Sequence, residues 1–544
     1  MKDCTSVTPW GTLSTTITSD LIGTDSSVAT KPEGDFSSFG PGARGVFRAT
    51  RSFLGVLTLT LIGIQFILTM YHPGMDDPDV WWHMRNAEYL IQSHHLARSD
   101  MYSFTVSGRP WINTEWLSEI PFYLAYRVFG LIGIQTIAFL LPTTIFLLLL
   151  RLCYKESLNF KASVLACCYG TLLAKVSYGP RTILFGYVFI VLLLSILQAF
   201  RDEGKARLWL LPPLFCIWIN THGSWALGLI LFFLFGVSGL VEGVWGRVES
   251  RRWTRAELKH LVFTAGASIG ALFINPYGWR AVYYPFDLAF NQKLNIAHVQ
   301  EWIPVNFQDL RGKLVLFLIV AFLLGALLRQ RRWNLGELLI LLFSMYTALV
   351  HIRFLVLLGI VMAPVLAKVL DFFPPYQPHL ETPRFNVLVI AATLIAMVVL
   401  WPRNAQLEQA LHRTYPAGAV AYMKAHGFQT NLLNFYLWGG YLDWHSRENK
   451  IFVDSRVDIF EYAGVLFDYL HFLEADTLGQ RPEPLLEKYR INYVLFPPSH
   501  NSNKNLDGGG LMYILEHDPN WKVLYRDDVS ELLQRAEPIS GASR

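Results

Sequence analysis

The chain has little charge and little cysteine. Only 16% of its 544 residues are charged, 52% are hydrophobic, and mean hydropathy is +0.31. This balance excludes an ordinary soluble multidomain protein and points to membrane spans. The five cysteines, Cys4, Cys153, Cys167, Cys168 and Cys216, fit no zinc or disulfide framework. A net charge of +4 over this length does not suggest a nucleic-acid partner. No cleavable signal peptide is visible ahead of the late first apolar run. Residues 1–45, rich in Ser, Thr and Gly without an apolar core, read as a disordered cytoplasmic tail. The histidines form no metal-binding tract. The apolar runs also lack the mid-span ionisable groups that a channel or pump would carry; Lys175 sits toward an outer end.

What is present is a series of apolar runs. Phe53 to Met70 is uncharged and close to the roughly 20 residues needed to cross a bilayer. It follows Arg44, Arg48 and Arg51, which places the N-terminus inside and Tyr71 outside. Further runs at about 131–150, 162–178, 182–200, 208–220, 223–245, 260–275, 313–328, 335–350, 354–370 and 385–401 bring the expected total to eleven. Alternating the loops from this start can be checked against charges not used to set it. Four inside loops contain Arg151, Lys155 and Lys161; Arg201, Lys205 and Arg207; Arg247, Arg251, Arg252, Arg255 and Lys259; and Arg329, Arg331 and Arg332. All four are basic, as the positive-inside rule requires. A fifth, about 371–384, is uninformative. The expected organisation is a transmembrane domain over 46–402 with a first outer loop over 71–130, then an extracytoplasmic α/β domain over 403–544, all in the cytoplasmic (inner) membrane.

The outer face gathers the polar groups. In "DDPDVWWHMRNAEYLIQSHH", Pro78 suits a helix start and the acidic residues suit a first turn. A second helix is expected in "NTEWLSEIPFYLAYRVFG", capped by Asn113 or Thr114, with Glu115 and Glu119 at i, i+4. Arg181 in "YGPRT", His222 in "INTHGSW" and Arg353 in "HIRF" each stand where a span meets the outer face. Two readings stay open. The helices can lie on the membrane with solvated carboxylates, or these groups can line one cavity open to the outer leaflet.

A cavity with a carboxylate on one wall and cations on another suits sugar transfer from a lipid phosphate. The carboxylate acts as general base toward an attacking hydroxyl, and the cations stabilise the departing phosphate. A phosphate leaves as an anion, so the two carboxylates of most glycosidases are not required. The Asp77-Pro78-Asp79 spacing can also hold a divalent cation such as Mg or Mn, since hard ions prefer carboxylate oxygens.

These residues resemble the polyprenyl-phosphate-sugar-dependent membrane glycosyltransferases of the GT-C superfamily. That superfamily carries an acidic motif in the first outer loop, where "DDPD", Asp76 to Asp79, stands here. More narrowly, "DPDVWWHMRNAEYL", "RSDMYSFTVSGRPWINTEWLSE", "GPR", "NTHGSW" and "NFYLWGGYLDWHSRENKIFVDSR" look like a group of bacterial GT-C-like proteins. Protein O-mannosyltransferases and lipid A aminoarabinose transferases are more distant; the His-Pro-Pro-Leu type element of the former has only "NTEWLSE" in its place. The resemblance implies an α-helical polytopic membrane fold of the GT-C type. It implies Asp79 as base with Asp77 second, Glu115 on the acceptor side, and Arg181, His222, Arg353 and Arg85 toward the donor phosphate. The expected partners are the bilayer, a polyprenyl-phosphate-linked sugar, and an acceptor lipid, glycan or protein. Two rivals are an oligosaccharyltransferase or glycan ligase, which needs a metal more strongly, and a non-enzymatic membrane binding or transport protein.

Past Pro402, "TNLLNFY", "KIFVD", "INYVLFPP" and "KVLYRDD" read as strands, and "PAGAVAYMKAHG", "VLFDYLHFLEA" and "PEPLLEKY" as helices. In "LWGGYLDWH", Gly439 and Gly440 permit a tight turn or close backbone approach between Trp438 and Tyr441. The segment is similar in layout to an aromatic motif of oligosaccharyltransferase catalytic subunits that helps hold an acceptor peptide, but it lacks that motif's aspartate. Trp438 and Tyr441 are therefore acceptor-side candidates, and a turn packing Trp438 against the membrane domain is the alternative. Arg447, Asp454, Arg456 and Asp458 could form an ion-pair cluster beneath it.

Overall fold

A computed structural model describes residues 52–70, 77–174, 179–203, 207–329, 332–374, 376–377, 379, 381–475, 481–500 and 508–537. The tail over 1–45, Asp76 and Lys175 lie outside the described residues. The N-terminal helices are α1 (Phe53–Met70), α2 (Asp79–Ser93), α3 (Trp116–Phe129), α4 (Leu131–Ser157), α5 (Phe160–Ala174), α6 (Ile183–Glu203), α7 (Leu211–Ile219) and α8 (Trp225–Ser238). They are followed by α9 (Arg255–Ala271), α10 (Trp279–Phe290), α11 (Lys293–His298), α12 (Leu310–Leu328), α13 (Leu335–Val350), α14 (Leu355–Val369) and α15 (Pro383–Val399).

A helix coincides with each of the eleven expected apolar runs. Among the described residues, four helical stretches are long and apolar enough to cross a membrane: Leu131–Ser157, Ile183–Asp202, Leu310–Leu328 and Ile352–Val369. A fifth is added if Pro383–Val399 and Asn404–Leu411, which meet at 61°, form one broken span. The chain is thus a multi-pass membrane protein, while several expected crossings are helices shorter than the bilayer requires. The run over 223–245 shows why. Its helix stops at Ser238, and Gly246, at φ +62°, turns the chain between β1 (Gly243–Trp245) and β2 (Val248–Ser250). Strand β2 also pairs in parallel with β3 (Trp333–Asn334).

Local chemistry sets the helix starts. Thr254 and Glu257 form a reciprocal capping box on α9. The Asp309 side chain accepts from the Gly312 amide on α12, and Asn334 accepts from Gly336 on α13. The bundle is centred on α14, nearly all of whose residues are buried. Its backbone touches that of α5 at two glycines: a Cβ at Gly170 would lie 2.8 Å from the Gly359 carbonyl oxygen.

The C-terminal part carries a five-stranded sheet of β4 (Asn431–Asn434), β5 (Lys450–Ile451), β6 (Tyr493–Phe496), β7 (Trp521–Arg526) and β8 (Glu531–Arg535), in the order β5-β4-β6-β8-β7. β5, β4 and β6 are parallel; β8 and β7 add antiparallel. Strand β8, absent from the sequence expectation, has no β-branched residue and is held by the fully buried Leu532 and Leu533. One apolar core joins this sheet to the segment over 77–130: Val80, Trp81, Trp111 and Phe122 pack in the same cluster as Leu433, Trp438 and Tyr441.

Candidate active site

The acidic turn is built from its own backbone. Asp77 Oδ1 accepts the Asp79 amide at 3.0 Å, satisfying one of the free N–H groups that open α2. Helical spacing then sets Asp79, His83 and Asn86 on one face, with Val80, Trp81, Met84 and Ala87 in the core. Trp82 donates its indole N–H to Ser455 Oγ at 3.0 Å and approaches Asp79 Oδ1 at 3.3 Å, so the C-terminal part contributes directly to the site.

Arg181, at the turn before α6, donates from Nε to Asp77 Oδ2 at 2.5 Å and from Nη1 to Glu301. Glu301 precedes Trp302, whose ring lies 4.2 Å from the Arg353 guanidinium carbon. The Trp302 carbonyl is bonded to His351 Nδ1 at 2.5 Å, which ties this loop to the Arg353 turn. Among the described residues the Arg353 guanidinium has no carboxylate within ion-pair distance; it is half-buried over an aromatic face.

The start of α3 is stitched to the "NTHG" turn. The Leu117 amide donates to the Asn220 carbonyl at 3.1 Å, and Ser118 Oγ to the Thr221 carbonyl at 2.8 Å. This fixes Glu115, which accepts from Thr182 Oγ1 at 2.6 Å and lies 3.4 Å from both His222 Nε2 and His83 Nε2. The Ser224 amide donates to His222 Nδ1 at 3.0 Å, so the proton of the neutral ring sits on Nε2, facing Glu115. Behind Glu115, His83 Nδ1 meets Glu119 Oε1 at 3.0 Å, and Asn113 and Asn86 donate to the same buried carboxylate.

These contacts separate the acids. Burial, reinforced by the neighbouring Asp77 charge, pushes the Asp79 carboxyl up to about 7. Burial would also raise Glu115, but the rings of His222 and His83 and the Thr182 hydroxyl reverse this and hold it low. Burial pushes His222 down to about 4, against the pull of Glu115, so it is a neutral donor near pH 7. His83 moves the other way: burial opposes its charge, but the bond to Glu119 and the surrounding carboxylates outweigh it. The site therefore offers a carboxyl raised toward neutrality and, across His83, an acid whose pKa is lowered, the separation expected where proton transfer is divided between groups.

The structure brings together Asp77, Asp79, Glu115, Arg181, His222 and Arg353. Arg85 is turned away, bonded at 2.9 Å to Glu88, which also pairs with Arg447. Trp438 is buried and donates to the Thr414 carbonyl at 3.0 Å; Tyr441 stacks on Tyr415 at 4.7 Å. Both fill the core between the sheet and α2. The grouping of Arg447, Asp454, Arg456 and Asp458 divides: Arg447 goes to Glu88, Asp454 and Arg456 pair with each other and with Asp100, and Asp458 bonds with Tyr284. His83, Thr182 and Glu301 join the site unannounced, and Glu119, expected only as the i+4 partner of Glu115, joins them. His83 stands four residues from Asp79, a spacing readable in advance; Glu301 is brought in by the loop over 276–312, with no local signal.

A divalent cation does not fit these residues as they stand. Asp77 has one oxygen on Arg181 and the other on the Asp79 amide, and Glu301 is paired to Arg181. Among the described residues no group of three or more His, Cys, Asp or Glu is arranged to hold a metal ion.

No protein-family model matches the sequence, and no curated protein matches it. Solved structures do. The oligosaccharyltransferase of Archaeoglobus fulgidus, tethered with an acceptor peptide containing an NVT sequon, superposes with a TM-score of 0.50 at 12% identity, over 90% of this chain and 75% of that one. The same enzyme in complex with an inhibitory peptide and a dolichol-phosphate gives 0.50 at 13%, over 88% and 74%. The chain shares their fold. At this identity the likeness is one of fold alone.

Proposed function

We propose that the chain is an inverting glycosyltransferase that moves a sugar from a polyprenyl-phosphate carrier to an acceptor at the outer face of the cytoplasmic membrane. The observation that carries this reading is the position of Asp79. Its carboxyl titrates at about 7 beside Arg181, where helices shaped for a bilayer end. A base with a pKa near the working pH combines a useful ionised fraction with a strong pull on the acceptor hydroxyl's proton. The acceptor oxygen attacks the anomeric carbon from the face opposite the phosphate, that carbon's bond to phosphate oxygen breaks, and the proton goes to Asp79. Arg353 and Arg181 stabilise the charge that develops on the departing phosphate. Glu115, expected on the acceptor side, accepts from Thr182 and faces His222 and His83, and we read it as a positioning residue for the cationic side.

The acceptor is left at class level: a lipid, a glycan or a protein. The fold shared with an enzyme solved with a dolichol-phosphate supports a polyprenyl carrier, and its solution with an acceptor peptide keeps an oligosaccharyltransferase or ligase as the second reading. Membranes containing native lipid donors test the proposal. Asp79→Asn is expected to remove transfer while the protein remains folded and inserted. Full transfer by that variant would sink the assignment, and substrate flux in reconstituted vesicles with no glycosyl product would replace it with transport.

A further inference from the structure

The place between Asp77 and Glu301 is the place for a cation. Two carboxylates from distant parts of the chain converge there, with Asp79 adjacent, and partly buried acids in such proximity repel one another unless neutralised. A divalent ion is one solution and needs free carboxylate oxygens around it. This chain has another. The Arg181 fork spans both partners, Nε to Asp77 Oδ2 at 2.5 Å and Nη1 to Glu301. The turn that carries it is fixed: the Arg181 amide bonds the Gly179 carbonyl at 2.9 Å, its carbonyl receives the Leu184 amide at 3.3 Å, and the adjacent Thr182 hydroxyl holds Glu115.

We propose that Arg181 is the resident cation of the site, standing where a divalent ion would otherwise neutralise Asp77 and Glu301. A guanidinium is charged at every physiological pH, presents its donors in a rigid plane, and cannot be extracted by a chelator. Two of its nitrogens are committed to the carboxylates. Among the described residues Nη2 has no ion-pair partner, and it is the donor left for a phosphate oxygen. This assignment rests on the glycosyltransferase reading only for the phosphate; the exclusion of metal from the carboxylates follows from the ion pairs alone.

Metal binding tests it without turnover. Purified protein is stripped with EDTA, dialysed and titrated with Mn2+, with free ion read by electron paramagnetic resonance. The wild type is expected to show no stoichiometric site up to about millimolar Mn2+, the range of weak carboxylate sites. Arg181→Ala, which leaves the acids without their counter-charge, is expected to take up one Mn2+ per chain, and the further change Asp77→Asn to abolish that uptake. Arg181→Lys, which keeps a cation there, is expected to bind none. One tightly held Mn2+ in the wild type, lost in Asp77→Asn, would overturn the proposal, as would an Arg181→Ala protein that folds and binds none. If Arg181→Ala fails to accumulate, the wild-type and Arg181→Lys titrations decide. Transfer by the wild type in EDTA is the activity counterpart. Absence of transfer under every condition speaks against the function, whereas Mn2+ uptake by the wild type speaks against Arg181.

Discussion

Gly440 lies against the carbonyl oxygen of Pro78: a Cβ at this glycine would sit 2.3 Å away. Its neighbour Gly439 is as tight, with a Cβ placed 2.4 Å from the Val453 carbonyl oxygen. The two glycines of "WGGY" therefore wedge the C-terminal part between its own chain and the turn that presents Asp79. In Gly440→Ala the obstacle is backbone, which cannot swing aside, and overpacking of this kind costs about 1–3 kcal/mol. The expected result is a lower thermal midpoint in detergent together with loss of transfer, because the Pro78 turn must move. Gly427→Ala, at an exposed left-handed turn with nothing within 4 Å, is the control: it is expected to lower the midpoint without a selective loss of transfer per folded molecule.

Asp79 sets a pH profile. As a base it acts only when ionised, so kcat/KM is expected to rise with pH through a limb near 7. The Asp77 charge contributes to that elevation, so Asp77→Asn should keep partial activity and move the limb acidward, on the order of one unit. The same group bears on stability. The folded chain holds a proton that the unfolded chain releases near the ordinary carboxylate value of 3.8, so this group's contribution falls as pH rises from about 4 to about 7. A limb unmoved by Asp77→Asn would count against Asp79 as the titrating base.

His222 carries the opposite sign. Its folded pKa of about 4 lies below the ordinary 6.5, so the folded chain binds fewer protons in that window, and stability from this group is lost as pH falls from 6.5 toward 4. Above that range the ring is a neutral donor to Glu115. His222→Gln, which can still present an N–H, is expected to retain most transfer, and His222→Ala to lose about ten-fold through a less well-held Glu115. Nitrogen-15 shifts of the His222 ring, unchanged from pH 8 to pH 5.5, would show the neutral form directly.

The apolar runs were legible because membrane length and loop charge are local properties of sequence; each of the eleven contains a helix. Their lengths were less so, since a helix such as Trp225–Ser238 stops before its apolar run does, where the chain turns into β1 (Gly243–Trp245). Asp77, Asp79, Glu115, Arg181, His222 and Arg353 could be nominated from position at span ends. Their pairing could not: Arg181 reaches Glu301 only because the loop over 276–312 is anchored elsewhere, with the Leu294 and Asn295 amides bonded to Glu461. Arg85 illustrates the reverse. It shares α2 with Asp79, but six residues along the helix is the wrong face, and Glu88 three residues further binds it.

Arg456 joins the C-terminal part to the segment over 77–130 through charge as the glycines do through shape. Its guanidinium is 1% exposed, donates to Asp100 at 2.6 Å and to Asp454, and lies over the rings of Tyr102 and Trp111. Beside it, burial and the Asp454 charge hold the Asp443 carboxyl well above the ordinary range, which favours its neutral form, while Asp100 and Asp454 both face the one arginine. Arg456→Met would leave Asp100 and Asp454, both 0% exposed on their side chains, without a cation. Removal of one partner from a buried network typically costs about 3–5 kcal/mol. Arg447→Met removes a partner that is 38% exposed and paired with Glu88, and is expected to cost about 0–1 kcal/mol. Thermal unfolding of both variants in the same detergent should show the large loss only for Arg456. Equal losses would mean that the Asp100–Arg456–Asp454 contact does not carry the junction.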